Sequence, residues 1–189
     1  MRHKYETRGI VLARSTMGEA NASVVVLTPA LGLVRARAQG LRKSGAKLSA
    51  ALVTFAESDL VLVEGKEGWR VAGAVLMENW FRKMQQPEAR ATAARVSGLV
   101  LRLVAGEAHD AELHPIIRSF FDALITISED QHEAAELLVV IRVLAALGLD
   151  AGEIPGHNDE FTPEILNYVL ANRANYIARI NHGISASGL

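Results

Sequence analysis

ASVVVLTPALGLVRARAQ, residues 22–39, decides the fold. Its first half is β-branched and stops at Pro29. Its second half alternates: Val34, Ala36 and Ala38 face one way, Arg35, Arg37 and Gln39 the other. A period of two belongs to a strand with one apolar face. The same signal extends outward in both directions. TRGIVLARS (7–15) is a short apolar run closed by polar residues, and SDLVLVE (58–64) sets Leu60 and Leu62 opposite Val61 and Val63. WRVAGAVLM (69–77) follows the turn EGKEG. Five short strands with glycine-bearing turns predict a small β-barrel.

Beyond residue 86 the pattern becomes helical. Pro87 is placed as the first residue of a helix running toward Gly106, and Pro115 starts a second one, IIRSFFDALITIS. HEAAELLVVIRVLAALG (132–148) is nearly apolar all round, which predicts a central buried helix with Gly148 as its C-terminal stop. TPEILNYVLANRANYIARIN (162–181) reads as one last helix capped by Thr162, followed by a frayed tail, HGISASGL. The chain is therefore expected to be α+β. A barrel domain over 1–82 precedes an all-helical domain over 83–189.

The net charge of −1 conceals a split. Residues 1–85 hold 13 Lys and Arg against 7 Asp and Glu, a net of +6, and residues 86–189 hold 7 against 14, a net of −7. No acid lies between Glu19 and Glu57. Such asymmetry points to a polyanion meeting the first half, or to mutual attraction between the halves. The candidate contact residues are Arg35, Arg37, Arg42, Lys43 and Lys47. The first two share a strand face about 7 Å apart. The others follow on AQGLRKSGAKLSA (38–50).

That loop imitates a phosphate-binding loop without being one. Gly40 and Gly45 have the right separation, but Ala46 stands where the lysine belongs, and Lys47 comes one residue late. A nucleotide reading is set aside in favour of phosphate-backbone contact without base readout, with a solvated basic loop as the alternative. Ten aromatic residues in 189 leave few stacking groups.

With no cysteine, disulfides, thiolate zinc sites and cysteine nucleophiles are excluded, and a reducing, cytoplasmic location fits. The start has no long apolar run, and Leu137–Leu149, interrupted by Arg142, is too short to span a bilayer. HDAELH (109–114) has metal-like residue types but no second ligand pair, so a solvated loop is the better reading. No Ser–His–acid pattern and no carboxylate pair argues for catalysis, and no cofactor or metal is expected. Arg142, alone in its apolar helix, is read first as a structural arginine paired with Glu136 or another acid. The other reading is a receptor for a partner's carboxylate.

The order Gly9-Ile10-Val11-Leu12, Gly18-Glu19, Leu27-Thr28 with Gly32, Gly40 with Arg42-Lys43, and Lys47-Leu48 leading to Leu52 and Phe55 resembles the bacterial recombination mediator RecO family. AAELLVVIRVLAALGLD (134–150) looks like that family's central helix. The resemblance implies an N-terminal five-stranded OB-fold barrel followed by helices. It implies binding of single- and double-stranded DNA, annealing of complementary strands and partnership with RecR. It also implies contact with the acidic C-terminal tail of the single-stranded DNA-binding protein, so that RecA is loaded. The chain departs from the pattern in three ways. Many relatives carry a four-cysteine zinc site where this chain has DAGEIPGHNDEFTPE, the chain is short, and its helical half is acidic. The competing class is an OB-type protein-interaction module whose basic face receives an acidic peptide.

Overall fold

Strand β1, His3–Met17, is long enough to serve two neighbours. Its first half pairs antiparallel with β4 (Ala56–Gly65), and its second half pairs with β2 (Asn21–Thr28). An irregularity between Val11 and Ala13 bends it at the changeover. The computed structural model that shows this describes residues 3–17, 21–39, 47–104 and 111–188. β2 pairs with β3 (Gly32–Ala38), and β4 with β5 (Gly68–Asn79). Three parallel partners, Ala36–Trp69, Arg37–Arg70 and Ala38–Val71, close the barrel in the order β1-β2-β3-β5-β4. This is the five-stranded OB barrel that the resemblance implied.

The alternation read from the sequence sets the inside. Val24, Val26, Val34, Ala36, Leu60, Leu62 and Val71 fill the lumen, with Leu52 buried among them. Leu52 follows the short helix α1 (Lys47–Ala51), which packs on β5 and β4. Ser58 Oγ donates to the Ala51 carbonyl at 2.6 Å and holds the end of that helix. The β2–β3 turn explains two motif residues: Thr28 Oγ1 accepts from the Leu31 amide at 2.9 Å, and Gly32 takes the φ of 65° that the turn needs. A short helix α2 (Trp80–Lys83) follows β5.

Two compact units result. One comprises Met1–Arg82 with Gly106–His114, the other Lys83–Ala105 with Pro115–Leu189. The second contains α3 (Pro87–Leu103), most of α4 (Leu113–Thr126), α5 (His132–Ala146), α6 (Pro163–Ala171) and α7 (Arg173–Ala186). α5 is central and packs on α3, α6 and α7. It ends in a Schellman motif: the Leu149 amide donates to the Leu144 carbonyl, the Gly148 amide to Ala145, and Gly148 has φ 71°.

Two expectations do not hold. The last helix is not continuous, because Asn172 (φ −107°, ψ 19°) divides α6 from α7. Its side-chain amide donates to the Tyr168 carbonyl at 2.9 Å, offering the backbone the local alternative to helix that asparagine favours. Nor is the tail frayed. α7 continues to Ala186, with Gly183 buried close against Leu144. The expected stop at Gly106 lies outside the described residues.

Candidate nucleic-acid interface

The closure of the barrel builds the site. On β3, inward Ala36 and Ala38 leave Arg35 and Arg37 exposed outside. On β5, inward Trp69 and Val71 leave Arg70 outside. Parallel pairing then sets Arg37 beside Arg70 on adjacent strands, about 4.8 Å apart along the hydrogen-bonding direction. Two like charges held side by side on a sheet repel each other, and an anion between them relieves that cost. The two-residue turn of the β4–β5 hairpin, Lys66–Glu67 between Gly65 and Gly68, reaches over the same place. A cleft of about 710 Å³ opens there, lined by Arg37, Gln39, Lys66, Glu67, Trp69 and Arg70 among others. Among the described residues three cations and one acid line it.

Glu67 is engaged. Arg37 Nη1 lies 3.0 Å from Glu67 Oε2, and both side chains are largely exposed. Trp69 contributes little ring surface: it is 9% exposed and meets Tyr5 edge-on, with centroids 5.1 Å apart. The cleft therefore offers charge rather than a stacking platform.

Of the five cations singled out in the sequence, Arg35 and Arg37 stand on this face. Arg42 and Lys43 lie outside the described residues. The backbone of Lys47 opens α1, which Arg14 also anchors, its Nη1 reaching the Ser49 and Leu52 carbonyls at 3.5 and 3.4 Å. Sequence reading missed Lys66 and Arg70. The alternation of Trp69 and Arg70 carried a signal, but only the β3–β5 pairing brings Arg70 to Arg37.

Arg142 sits elsewhere, in the helical unit. It is 1% exposed. Its Nη1 donates to the Asn158 carbonyl at 3.3 Å and its Nη2 to the Pro155 carbonyl at 3.1 Å. The guanidinium lies over the Phe161 ring, 4.8 Å from its centroid. Burial pulls the group down to about 10, so it stays charged at neutral pH. The expected pairing with Glu136 does not form. Glu136 is taken by Arg95, whose Nε and Nη2 lie 2.9 and 2.7 Å from its two oxygens. Arg95 is raised above its ordinary value, first by that bond and further by Glu88.

A second arginine holds the start of the same loop. Arg179 forks onto Asp150 at 2.6 and 3.1 Å and donates to the Glu153 carbonyl at 2.9 Å. The Arg179 fork keeps the Asp150 carboxyl below its ordinary value. Arginine contacts thus organise the segment between α5 and α6.

The histidine motif is not a wholly solvated loop. His114 is buried in the barrel's unit, its Nε2 3.3 Å from Glu57 Oε1. Its His109 end lies outside the described residues. Among the described residues no three His, Asp or Glu side chains gather as a metal would require, and no helix is long and apolar enough to cross a membrane.

Comparison with known proteins gives a consistent picture. A family model described as Recombination protein O N terminal matches residues 1–79. A "DNA repair protein RecO" from Dehalococcoides mccartyi is 28% identical over 122 residues, 65% of this chain and 48% of that protein. One from Gloeobacter violaceus is 30% identical over 152 residues, 79% of this chain and 57% of that protein. Another, from Acaryochloris marina, is 38% identical over 80 residues, 42% of this chain and 27% of that protein. The chain spans about half the length of the first of these relatives.

Proposed function

Because the chain belongs to the RecO family, we propose that it is a DNA-binding mediator of recombinational repair. The observation that carries this reading is the Arg37–Arg70 adjacency on the barrel's outer face, with Arg35 two residues away and Lys66 at the cleft mouth. Side-by-side guanidinium groups suit a row of phosphates, because each forks onto two phosphate oxygens. Arg42, Lys43 and Lys47 would extend the same basic track. Such a track neutralises backbone charge without reading bases, so it would take single- and double-stranded DNA alike. Screening of two complementary strands by one basic face lets them approach, which is the physical route to annealing. With RecR, and through the acidic tail of the single-stranded DNA-binding protein, the chain would help load RecA onto coated DNA. Arg142 would take part in peptide recognition through the loop it holds. The reading assigns no catalytic step.

The test is an annealing assay on complementary oligonucleotides, bare and coated with single-stranded DNA-binding protein. The double variant Arg37→Glu, Arg70→Glu is expected to lose annealing on both substrates while its melting transition stays in place. Retained annealing would move the DNA site off this face. A labelled acidic peptide, run beside a labelled oligonucleotide, separates the competing class. Tight peptide binding without oligonucleotide binding would make the barrel a protein-interaction module.

A further inference from the structure

The hairpin turn places its own carboxylate on the arginine that the proposed function assigns to DNA. Glu67 Oε2 stands 3.0 Å from Arg37 Nη1, and both line a cleft whose other charged lining groups among the described residues, Lys66 and Arg70, are cations. A carboxylate and a phosphodiester each present two equivalent oxygens to a guanidinium, so the position of Glu67 marks where a phosphate would sit. The turn that carries Glu67 is short and flanked by glycines. Gly65 and Gly68 flank the two turn residues, and Gly68 takes φ 90°, a conformation that glycine adopts at little cost. The pair is also weak. The two side chains are 54% and 85% exposed, and ion pairs of that kind are screened by salt and easily exchanged.

We propose that this cleft is a phosphate subsite that the free protein closes with Glu67, and that nucleic-acid backbone opens it by displacing that carboxylate. The inference rests on the nucleic-acid reading of the barrel face. Its consequence is selectivity by charge density. A lone phosphate or a single acidic side chain gains little by exchanging with Glu67. A continuous phosphate backbone engages Arg35, Arg70 and Lys66 in the same event and thereby offsets the lost pair. Once the turn has moved, Arg37 joins the contacts, so the closed form has one phosphate contact fewer than the cations on the face would allow.

The test uses the whole chain and a labelled single-stranded oligonucleotide, with anisotropy titrations at several salt concentrations. The variants are Glu67→Gln, Arg37→Gln, the two combined, and Glu64→Gln as a control for removing an acid nearby. Glu67→Gln is expected to tighten binding up to about five-fold at low salt. It is also expected to steepen the salt slope by about 0.7, the increment of one phosphate on a single strand. In the Arg37→Gln background that gain disappears. An equal gain with and without Arg37, an equal gain from Glu64→Gln, or no gain at all overturns the closure. If Arg37→Gln alone leaves binding unchanged, the DNA reading of this face fails. If Arg37→Gln weakens binding and Glu67→Gln does nothing, only the closure fails.

Discussion

A side chain at residue 9 would have nowhere to go. A Cβ built on Gly9 overlaps Cγ1 of Val26 and comes within 3.1 Å of both Leu60 and Thr28. Val26 and Leu60 are themselves buried in the barrel core, so they have little room to retreat. Gly9→Ala is expected to destabilise the barrel by about 1–3 kcal/mol, the usual cost of overpacking, read as a shift in urea midpoint. His132 presents a different kind of constraint. It is 3% exposed, and neither ring nitrogen has a hydrogen-bond partner among the described residues. Burial lowers its proton affinity, more than the raising effects of Glu88, Glu129 and Asp130 restore. The sign follows. The unfolded chain takes up the proton near pH 6.5 while the folded chain resists it, so stability is full above that pH and falls below it. The slope is up to about 1.4 kcal/mol per pH unit, down to the folded-state value. His132→Leu is expected to flatten the stability profile between pH 7 and 5, measured by denaturant titration. An unchanged profile would assign the acid sensitivity to another group.

At the scale of elements, strands were easier to read than their partners. Alternation is local: in LVRARAQ it separated Val34, Ala36 and Ala38, which are buried, from the exposed arginines, while in SDLVLVE it set Leu60 and Leu62 apart from Val61 and Val63 without telling which pair is inside. The parallel contact of β3 with β5 is not local. Three residue pairs made across more than thirty positions leave no mark in either segment, and Arg70 went unrecognised for that reason. Helix ends showed the same contrast. Pro87 and Gly148 announced themselves through fixed backbone preferences and Thr162 through its capping hydroxyl, whereas Asn172 is a tolerable helix residue whose side chain ends α6 only by reaching Tyr168. Arg142 was legible as a structural arginine but not by its partner, since carbonyls of a loop carry no sequence signature. Arg142→Ala removes two donors and the cation over Phe161, leaving the Pro155 and Asn158 carbonyls to find water. A loss of about 2–4 kcal/mol is expected. Hydrogen exchange is expected to speed up across 150–162 more than across α3. Uniform exchange through the helical unit would mean that Arg142 supports the core rather than the loop.

For the molecule as a whole, the decisive quantity is where the charge lies rather than how much there is. A net of −1 suggests indifference to a polyanion, yet the acid-free run from 20 to 56 and the closure of the barrel concentrate cations on one face. The charge split was visible in the sequence. The face was not, because it needs β3, β5 and the hairpin turn together. If about five of the seven cations of the proposed track (Arg35, Arg37, Lys66 and Arg70 with Arg42, Lys43 and Lys47) engage at once, about five phosphates are neutralised. Each released counterion contributes about 0.7 on a single strand, so log affinity should fall with log salt at a slope of roughly −3.5. Between 50 and 200 mM salt that is a loss of about a hundred-fold. Replacing Arg35 and Arg70 with Gln should flatten the slope by about 1.4, whatever the oligonucleotide sequence. Stacking or apolar contact gives a different pattern: a loss of only a few-fold over the same salt range, and affinities that depend on base composition. That second pattern would remove phosphate contact as the basis of binding and, with it, the β3–β5 face as the place where DNA is held.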